Sequence, residues 1–350
     1  MIVRVIFLFF IAVLGVGIGQ AVFAQTITNE NLVLGSLDFP TSGSEEAQEE
    51  FVVGVLALHS FWYEEARDHF IQAQVLDSGF GMAYWGEAMT YDNAFRTAQG
   101  NENEELGAAV VARMDQLDFE GKLTWTEREQ GYANAVRWRF AATSFEVRRR
   151  DYAEAMEQLS LRYPEDNEAT VFAALALMAL PGFDRENPLH TVTVASRLEE
   201  IYERNQEHPG VLHYLIHVYD TETFALMGLR QARRYAEIAP ASSHALHMPS
   251  HIFRFLGMWS EVAASNEDAY QASVRWQDHT GRPLHARDFH ALDWLLDAYL
   301  RLSRFEDAKR LMDELDKIEL EIRRRGEEWG EFPDIAGQLR EYYRDAVPGG

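Results

Sequence analysis

Histidines concentrate in one stretch of the chain and recur there at a fixed interval. Nine of the 12 histidines lie in the segment 208–290. His213 and His247 are 34 residues apart, and the same 34 residues separate His217 from His251. Each helix-compatible i, i+4 pair (His213 with His217, His247 with His251) lies on one face of an α-helix. Because neutral imidazole is the commonest nitrogen ligand for zinc, copper and iron, this pattern indicates a transition-metal site.

Further residues extend the pattern over neighbouring helical turns. His244 lies one turn before the second pair, and Asp293 lies one turn after His290. Carboxylates beside a histidine cluster act as ligands or as acceptors that orient the imidazole rings, and Asp220 and Asp297 are further candidates for either role. We therefore predict a site for a zinc, copper or iron ion formed by His213, His217, His244, His247, His251, His290 and Asp293.

A histidine cluster also has explanations that involve no metal. The rings can form a neutral hydrogen-bonded network between helices, since buried polar groups usually find partners. They can also line a groove that binds an acidic molecule or a peptide. The recurrence of five histidines in phase favours the metal over both. Of the other histidines, we expect His59 to be a packing residue among large apolar neighbours, and His208, which precedes a proline, to cap the next helix.

The elements that carry these histidines are predicted to be helices in repeated pairs. Amphipathic segments follow one another with short breaks, and the alternating pattern of β-strands is nearly absent. A first helix pair spans Glu50–Phe80, with Gly54 as the small residue of its first helix. Ala66, Phe70 and Ala73 form an Ala-x3-Phe-x2-Ala pattern in its second helix. The fold class predicted from these features is all-α.

These residues resemble the tetratricopeptide repeat, a unit of two antiparallel helices. The resemblance covers most of residues 46–320 and implies a right-handed superhelical array of about five to seven helix pairs. It also implies that the first helices of the pairs line a concave groove, and that the histidines face this groove from three consecutive helices. A bacterial group of exported tetratricopeptide proteins has motifs similar to HYLIH, which begins at His213, and to HALHMPSH, which begins at His244.

The N-terminal segment has the pattern of a secretory signal peptide. Arg4 precedes an apolar run, Val5–Val16, and small residues lead to a cleavage position after Ala24. An uncleaved membrane anchor is the alternative, although the run is short for a membrane span. We expect a signal peptide over 1–24, a polar linker over 25–45, the repeat domain over 46–320, and a capping helix with a tail over 321–350. The protein is therefore predicted to be periplasmic or secreted, with no membrane span after cleavage.

Composition narrows the possible functions. The net charge of −24 argues against a nucleic-acid partner, because phosphate binding requires a basic face. The absence of cysteine excludes disulfides, thiolate ligands and a lipid anchor on cysteine. Motifs typical of serine hydrolases, P-loop proteins and HExxH metalloproteases are absent.

Two function hypotheses remain after these exclusions. The first is a binding protein that takes a protein, a peptide or a small molecule in a metal-organised groove. The second is a metalloenzyme. A closed set of four histidines favours a structural or carrier role, whereas three protein ligands with an open position favour catalysis.

Overall fold

The computed structural model describes residues 32–95 and 102–347, and this part of the chain is all-α, as predicted. The predicted signal peptide, the first residues of the predicted linker and the last three residues lie outside the described residues. The described helices are α1 Glu45–His59, α2 Tyr63–Leu76, α3 Gly81–Met89, α4 Glu102–Phe119, α5 Glu127–Arg139, α6 Phe145–Arg162, α7 Asn167–Met178, α8 Pro188–Arg204, α9 Pro209–Tyr219, α10 Leu229–Ile238, α11 Ser243–His247, α12 Pro249–Phe255, α13 Trp259–Thr280, α14 Phe289–Arg301, α15 Phe305–Arg325 and α16 Phe332–Ala346.

The helices pack as consecutive pairs. Helix α1 packs on α2, α3 on α4, α5 on α6, α7 on α8, and α9 on α10. Helices α11 and α12 are separated by Met248 alone, because Pro249 lacks the N–H that would continue the helical ladder, and both pack on α13. With α14 on α15 there are seven pairs in the described part, within the predicted number, and α16 follows as the last helix. The right-handed superhelix stays a prediction.

Small residues allow close approach between helices where the repeat pattern requires them. A Cβ atom on Gly54 would lie 2.8 Å from the Phe70 ring, and one on Gly86 would lie 2.4 Å from the same ring. Both distances are shorter than van der Waals contact, so the buried Phe70 ring of α2 occupies the space that the two glycines of α1 and α3 leave. The small residue and the phenylalanine of the first predicted pair therefore pack directly on each other.

The described part of the polar N-terminal segment packs along the helices. Leu34 and Phe39 are buried in the common core. The Ser36 N–H donates to the Glu207 carbonyl oxygen over 3.0 Å, and Gly35 approaches the same carbonyl with a φ of 92°. At the other end of the chain, α15 runs past residue 320 and ends at Gly326 with a left-handed cap. Every helix in residues 32–95 and 102–347 is too short or too polar to cross a lipid bilayer.

The first helix pair also packs against the fifth and sixth pairs. Helix α1 contacts α9, and Glu65 on α2 accepts a hydrogen bond of 2.8 Å from Trp276 on α13. Trp62, in the turn between α1 and α2, packs edge-on against the same tryptophan. This turn therefore covers the helices that carry the histidine pairs, and it forms one wall of the site described next.

Candidate metal centre

Six of the seven predicted site residues lie in one continuous cluster. Helix α9 presents two of these histidines, α11 two more, and α12 and α14 one each. Neighbouring ring centroids are 4.7 Å apart for His213 and His217, and 4.8 Å apart for His247 and His290. The ligand nitrogens fall into two groups in which every nitrogen lies within 4.8 Å of the others. These groups are His213, His217 and His244 (the first group), and His247, His251 and His290 (the second group).

In the first group, a backbone carbonyl fixes the state of one ring. His213 donates its Nδ1–H to the carbonyl oxygen of His59 over 2.6 Å, so the His213 Nε2 atom carries a lone pair in the neutral ring. This lone pair faces the Nε2 atom of His244 at 3.1 Å. Both ring nitrogens of His217 are buried and have no hydrogen-bond partner among the described residues. The first group therefore contains a buried polar ring that its protein surroundings leave unsatisfied.

In the second group, hydrogen bonds at the Nδ1 atoms leave the Nε2 lone pairs of His247 and His251 facing each other. Asn266 donates its amide N–H to the Val262 carbonyl, which leaves its Oδ1 atom to accept from His247 Nδ1 over 2.6 Å. Asp220 accepts from His251 Nδ1 over 2.9 Å. With both Nδ1 atoms donating, the Nε2 atoms of His247 and His251 are bare in the neutral rings, yet they lie 3.1 Å apart.

Three of the six rings are held in the way that is typical of metal-bound histidines. Metal-bound histidines almost always donate their other N–H to a carboxylate, an amide or a backbone carbonyl, which fixes the tautomer and the ring orientation. His213, His247 and His251 all make such a bond. Two nitrogens bound to a tetrahedral zinc ion at about 2.0–2.1 Å lie about 3.3 Å apart, close to the observed 3.1 Å contacts.

Burial favours the neutral form of five of the clustered rings. Burial lowers the pKa of His213 to about 3. Burial, followed by the proximity of the other histidines, holds the pKa values of His217, His244 and His247 well below the ordinary value of 6.5. Burial of part of its surface also lowers the pKa of His290. These five rings therefore do not need to lose a proton before they bind a cation at neutral pH.

Aromatic side chains enclose the first group more completely than the second. Phe61 lies 4.4 Å from the His213 ring, and Phe95 lies 4.5 Å from the His217 ring, centroid to centroid. Phe61 holds a left-handed backbone conformation, with a φ of 51°, that is rare for a residue with a side chain. Trp294 covers the second group from one side at 4.5 Å from His251, whereas His290 is exposed. The second group is therefore the more exposed of the two.

The three carboxylates named from the sequence have different surroundings. Asp220 orients His251 and also lies 3.4 Å from Arg185. Asp297 accepts hydrogen bonds from Arg301 and from the Tyr342 hydroxyl, so its oxygens are engaged away from the histidines. Asp293 is exposed on α14, outside both ligand groups, and burial of part of its surface raises its pKa.

A third group of titratable residues was missed by sequence reasoning. His59 and His208 each place Nε2 against one oxygen of Glu168, at 2.7 and 2.8 Å, and all three are buried. The Nδ1 atom of His59 faces the Tyr214 hydroxyl at 3.0 Å, and that of His208 accepts the N–H of Val211. Every ring nitrogen and both carboxylate oxygens therefore have partners, which identifies a hydrogen-bonded core network. The expected roles of His59 in packing and of His208 as a helix cap are confirmed.

No short-range sequence pattern indicates this third group. Glu168 is 109 residues from His59 and 40 from His208, so no helical or repeat spacing connects them. Asn266, which fixes the His247 ring, was also not named from the sequence. A search for related proteins adds no family to these observations: no protein-family model matches the chain, and no curated protein is significantly similar to it.

Proposed function

We propose that the protein is an exported, tetratricopeptide-type binding protein in which the clustered histidines hold a transition metal ion, zinc, copper or iron, and organise a ligand-binding or metal-handling groove. The observation that carries this proposal is the 3.1 Å contact between the bare Nε2 atoms of His247 and His251. Two lone pairs repel each other at this distance unless a cation lies between them or beside them.

Protonation provides a weaker explanation of the same geometry. A proton shared between the Nε2 atoms of His247 and His251 satisfies their contact. It does nothing for His217, whose two nitrogens stay buried without partners among the described residues. A metal ion in the first group satisfies this ring together with His213 and His244. Metal binding therefore explains the geometry of both groups, whereas a protonated network explains only that of the second group.

A metalloenzyme is the second candidate function, with hydrolytic or oxidative chemistry. Two observations favour it. Each group contains three histidines, which leaves room for water or substrate in the coordination sphere. The second group also has an exposed member, His290, so small molecules reach it from solvent. A metal bound there would polarise and acidify a bound water, while the rigid helices and the residues that fix the rings preorganise the ligands.

Elemental analysis of the purified protein tests the metal. We expect one to two equivalents of a single transition metal per chain. The variant His247→Ala/His251→Ala should lose the metal ion bound by the second group. The variant His213→Ala/His217→Ala should lose the metal ion bound by the first group. His279→Ala, which removes an exposed histidine outside both groups, is the matched control and should keep the parent content. A metal-free parent that binds added zinc, copper and iron no better than the double variants do would exclude the proposal.

A further inference from the structure

Two adjacent cavities lie between the α1–α2 turn and α13. The outer cavity has a volume of about 420 Å3 and the inner one of about 220 Å3. Both are lined by Trp62, Ala241, Ala272 and Trp276. The inner cavity also borders Phe61 and His244, so it reaches the first histidine group. The outer cavity is in the size range of sites that take small organic molecules.

Hydrogen bonds hold the aromatic wall of the outer cavity in place. The rings of Trp62 and Trp276 pack edge-on with centroids 5.5 Å apart. The Trp276 indole N–H donates to Glu65, which lies 3.6 Å from His69, and the other ring nitrogen of His69 lies 2.6 Å from Glu50. This buried chain fixes the tryptophan before any ligand arrives. A ligand that stacks on it therefore does not have to order it first.

The titratable side chains at the outer cavity are an arginine and a histidine. Arg275 and His279 stand one turn apart on α13 at its edge, and both are exposed. Arg275 has no ion-pair partner in the described part of the chain. The described lining of the outer cavity contains no carboxylate, whereas Glu64 and Asp288 line the inner cavity. In a chain with a net charge of −24, an arginine with no described ion-pair partner beside an apolar cavity whose described lining lacks carboxylates is a specific feature.

We propose that the outer cavity binds a small aromatic carboxylate. The ligand ring has the two tryptophans on one side and, on the other, the apolar wall formed by Leu32, Pro240 and Ala272. Its carboxylate lies beside Arg275. The opposite end of the molecule faces the inner cavity, where Glu64 and Asp288 exclude a second anionic group. The ligand therefore has one acidic end, and its other end points towards His244. This binding site requires no metal, so its existence can be tested independently of the metal centre.

Calorimetric titration of the purified full-length protein tests this site. The probes are 1-naphthoate and the neutral 1-naphthalenemethanol, which have the same ring system, and both are titrated into metal-free and metal-loaded protein. We expect naphthoate to bind the parent more tightly than the alcohol does. Arg275→Gln should weaken naphthoate binding by about fivefold to tenfold and leave the alcohol unchanged, since the lost contact is a partly exposed charge pair. Arg344→Gln, an exposed arginine on α16 outside both cavities, should change neither.

A second variant locates the ligand. Ala272→Leu adds side-chain volume to the wall that both cavities share, so it should weaken both probes while the unfolding temperature shows that the fold is kept. Three results would overturn the proposal: no naphthoate binding at millimolar concentration, equal naphthoate affinity in the parent and Arg275→Gln, or undiminished binding to folded Ala272→Leu. Binding of an acidic peptide in place of naphthoate would also overturn it. Binding to metal-free protein separates this site from the metal centre, because a failed metal analysis then leaves it intact.

Discussion

Replacement of Glu168 by glutamine tests whether the third group is a core network with no role in metal binding. Burial alone would raise the pKa of Glu168, but His208 and His59 outweigh it and lower the pKa to about 2 from the ordinary value of 4.5. That difference corresponds to about 3 kcal/mol of folding stability at pH 7. Glutamine has one acceptor oxygen in place of two, so we expect Glu168→Gln to lower the free energy of unfolding by about this amount.

The pH dependence of this loss of stability follows from the lowered pKa of Glu168 in the folded protein. A carboxylate whose pKa is lower in the folded state stabilises the fold above its ordinary pKa, and this stabilisation is lost as the pH falls through the folded value. For Glu168 the contribution of about 3 kcal/mol at pH 7 falls to about 1 kcal/mol at pH 3. The difference in stability between the parent and Glu168→Gln should therefore shrink by about two thirds over this interval.

Urea unfolding, followed by tryptophan fluorescence at pH 7 and at pH 3, measures this difference. Elemental analysis of the variant at pH 7, before urea is added, should give the parent metal content, because every ligand atom of the third group already has a hydrogen-bond partner. The reasoning is refuted if Glu168→Gln unfolds at the parent urea concentration at pH 7. It is refuted equally if the difference in stability does not depend on pH, or if the variant loses metal that the parent holds.

Two further predictions concern stability elsewhere in the array. Burial opposes protonation of His69, but hydrogen bonds to its two glutamates outweigh burial and raise its pKa to about 9. The parent should therefore exceed His69→Gln in stability below about pH 6.5 and lose this advantage as the pH rises through 9, which unfolding at pH 6 and pH 9.5 measures. Gly86→Ala should lower stability by about 1–3 kcal/mol, because the new Cβ would lie 2.4 Å from the Phe70 ring. Gly337→Ala, where no described atom lies within 4 Å of the added Cβ, should instead raise stability by about 0.5–1 kcal/mol, and thermal unfolding of both variants tests the contrast.

The histidine cluster could be predicted from the sequence because its geometry is local and periodic. The i, i+4 spacing places two rings on one helical face, and the repeat interval places the same face of successive first helices side by side. Six of the seven predicted residues accordingly fall into the two ligand groups. Asp293 lies one helical turn from His290, but this spacing does not determine how deeply a side chain is buried. The side chain of Asp293 is exposed near the end of the array.

The remaining features depend on contacts between distant parts of the chain. Whether the first helix pair meets the fifth depends on how all the intervening pairs pack, and no spacing in the sequence encodes that packing. Glu168 and the two tryptophans of the outer cavity obtain their roles from such contacts. Asn266 obtains its role from the packing of α13 on α11. The packing of Leu34 and Phe39 could not be predicted either, since the polar residues around them are typical of a linker.

The contact between the first pair and the fifth has a consequence for how the molecule folds. In an open solenoid each repeat touches only its neighbours, so folding can start anywhere and the ends fray independently. Here the carbonyl of His59 binds the ring of His213, 154 residues further along the chain. The amino-terminal repeat therefore cannot complete its contacts until α9 has been synthesised and packed, and this long loop slows folding. Because the first helix pair also packs against α13 of the sixth pair, the first six helix pairs should unfold as one cooperative unit.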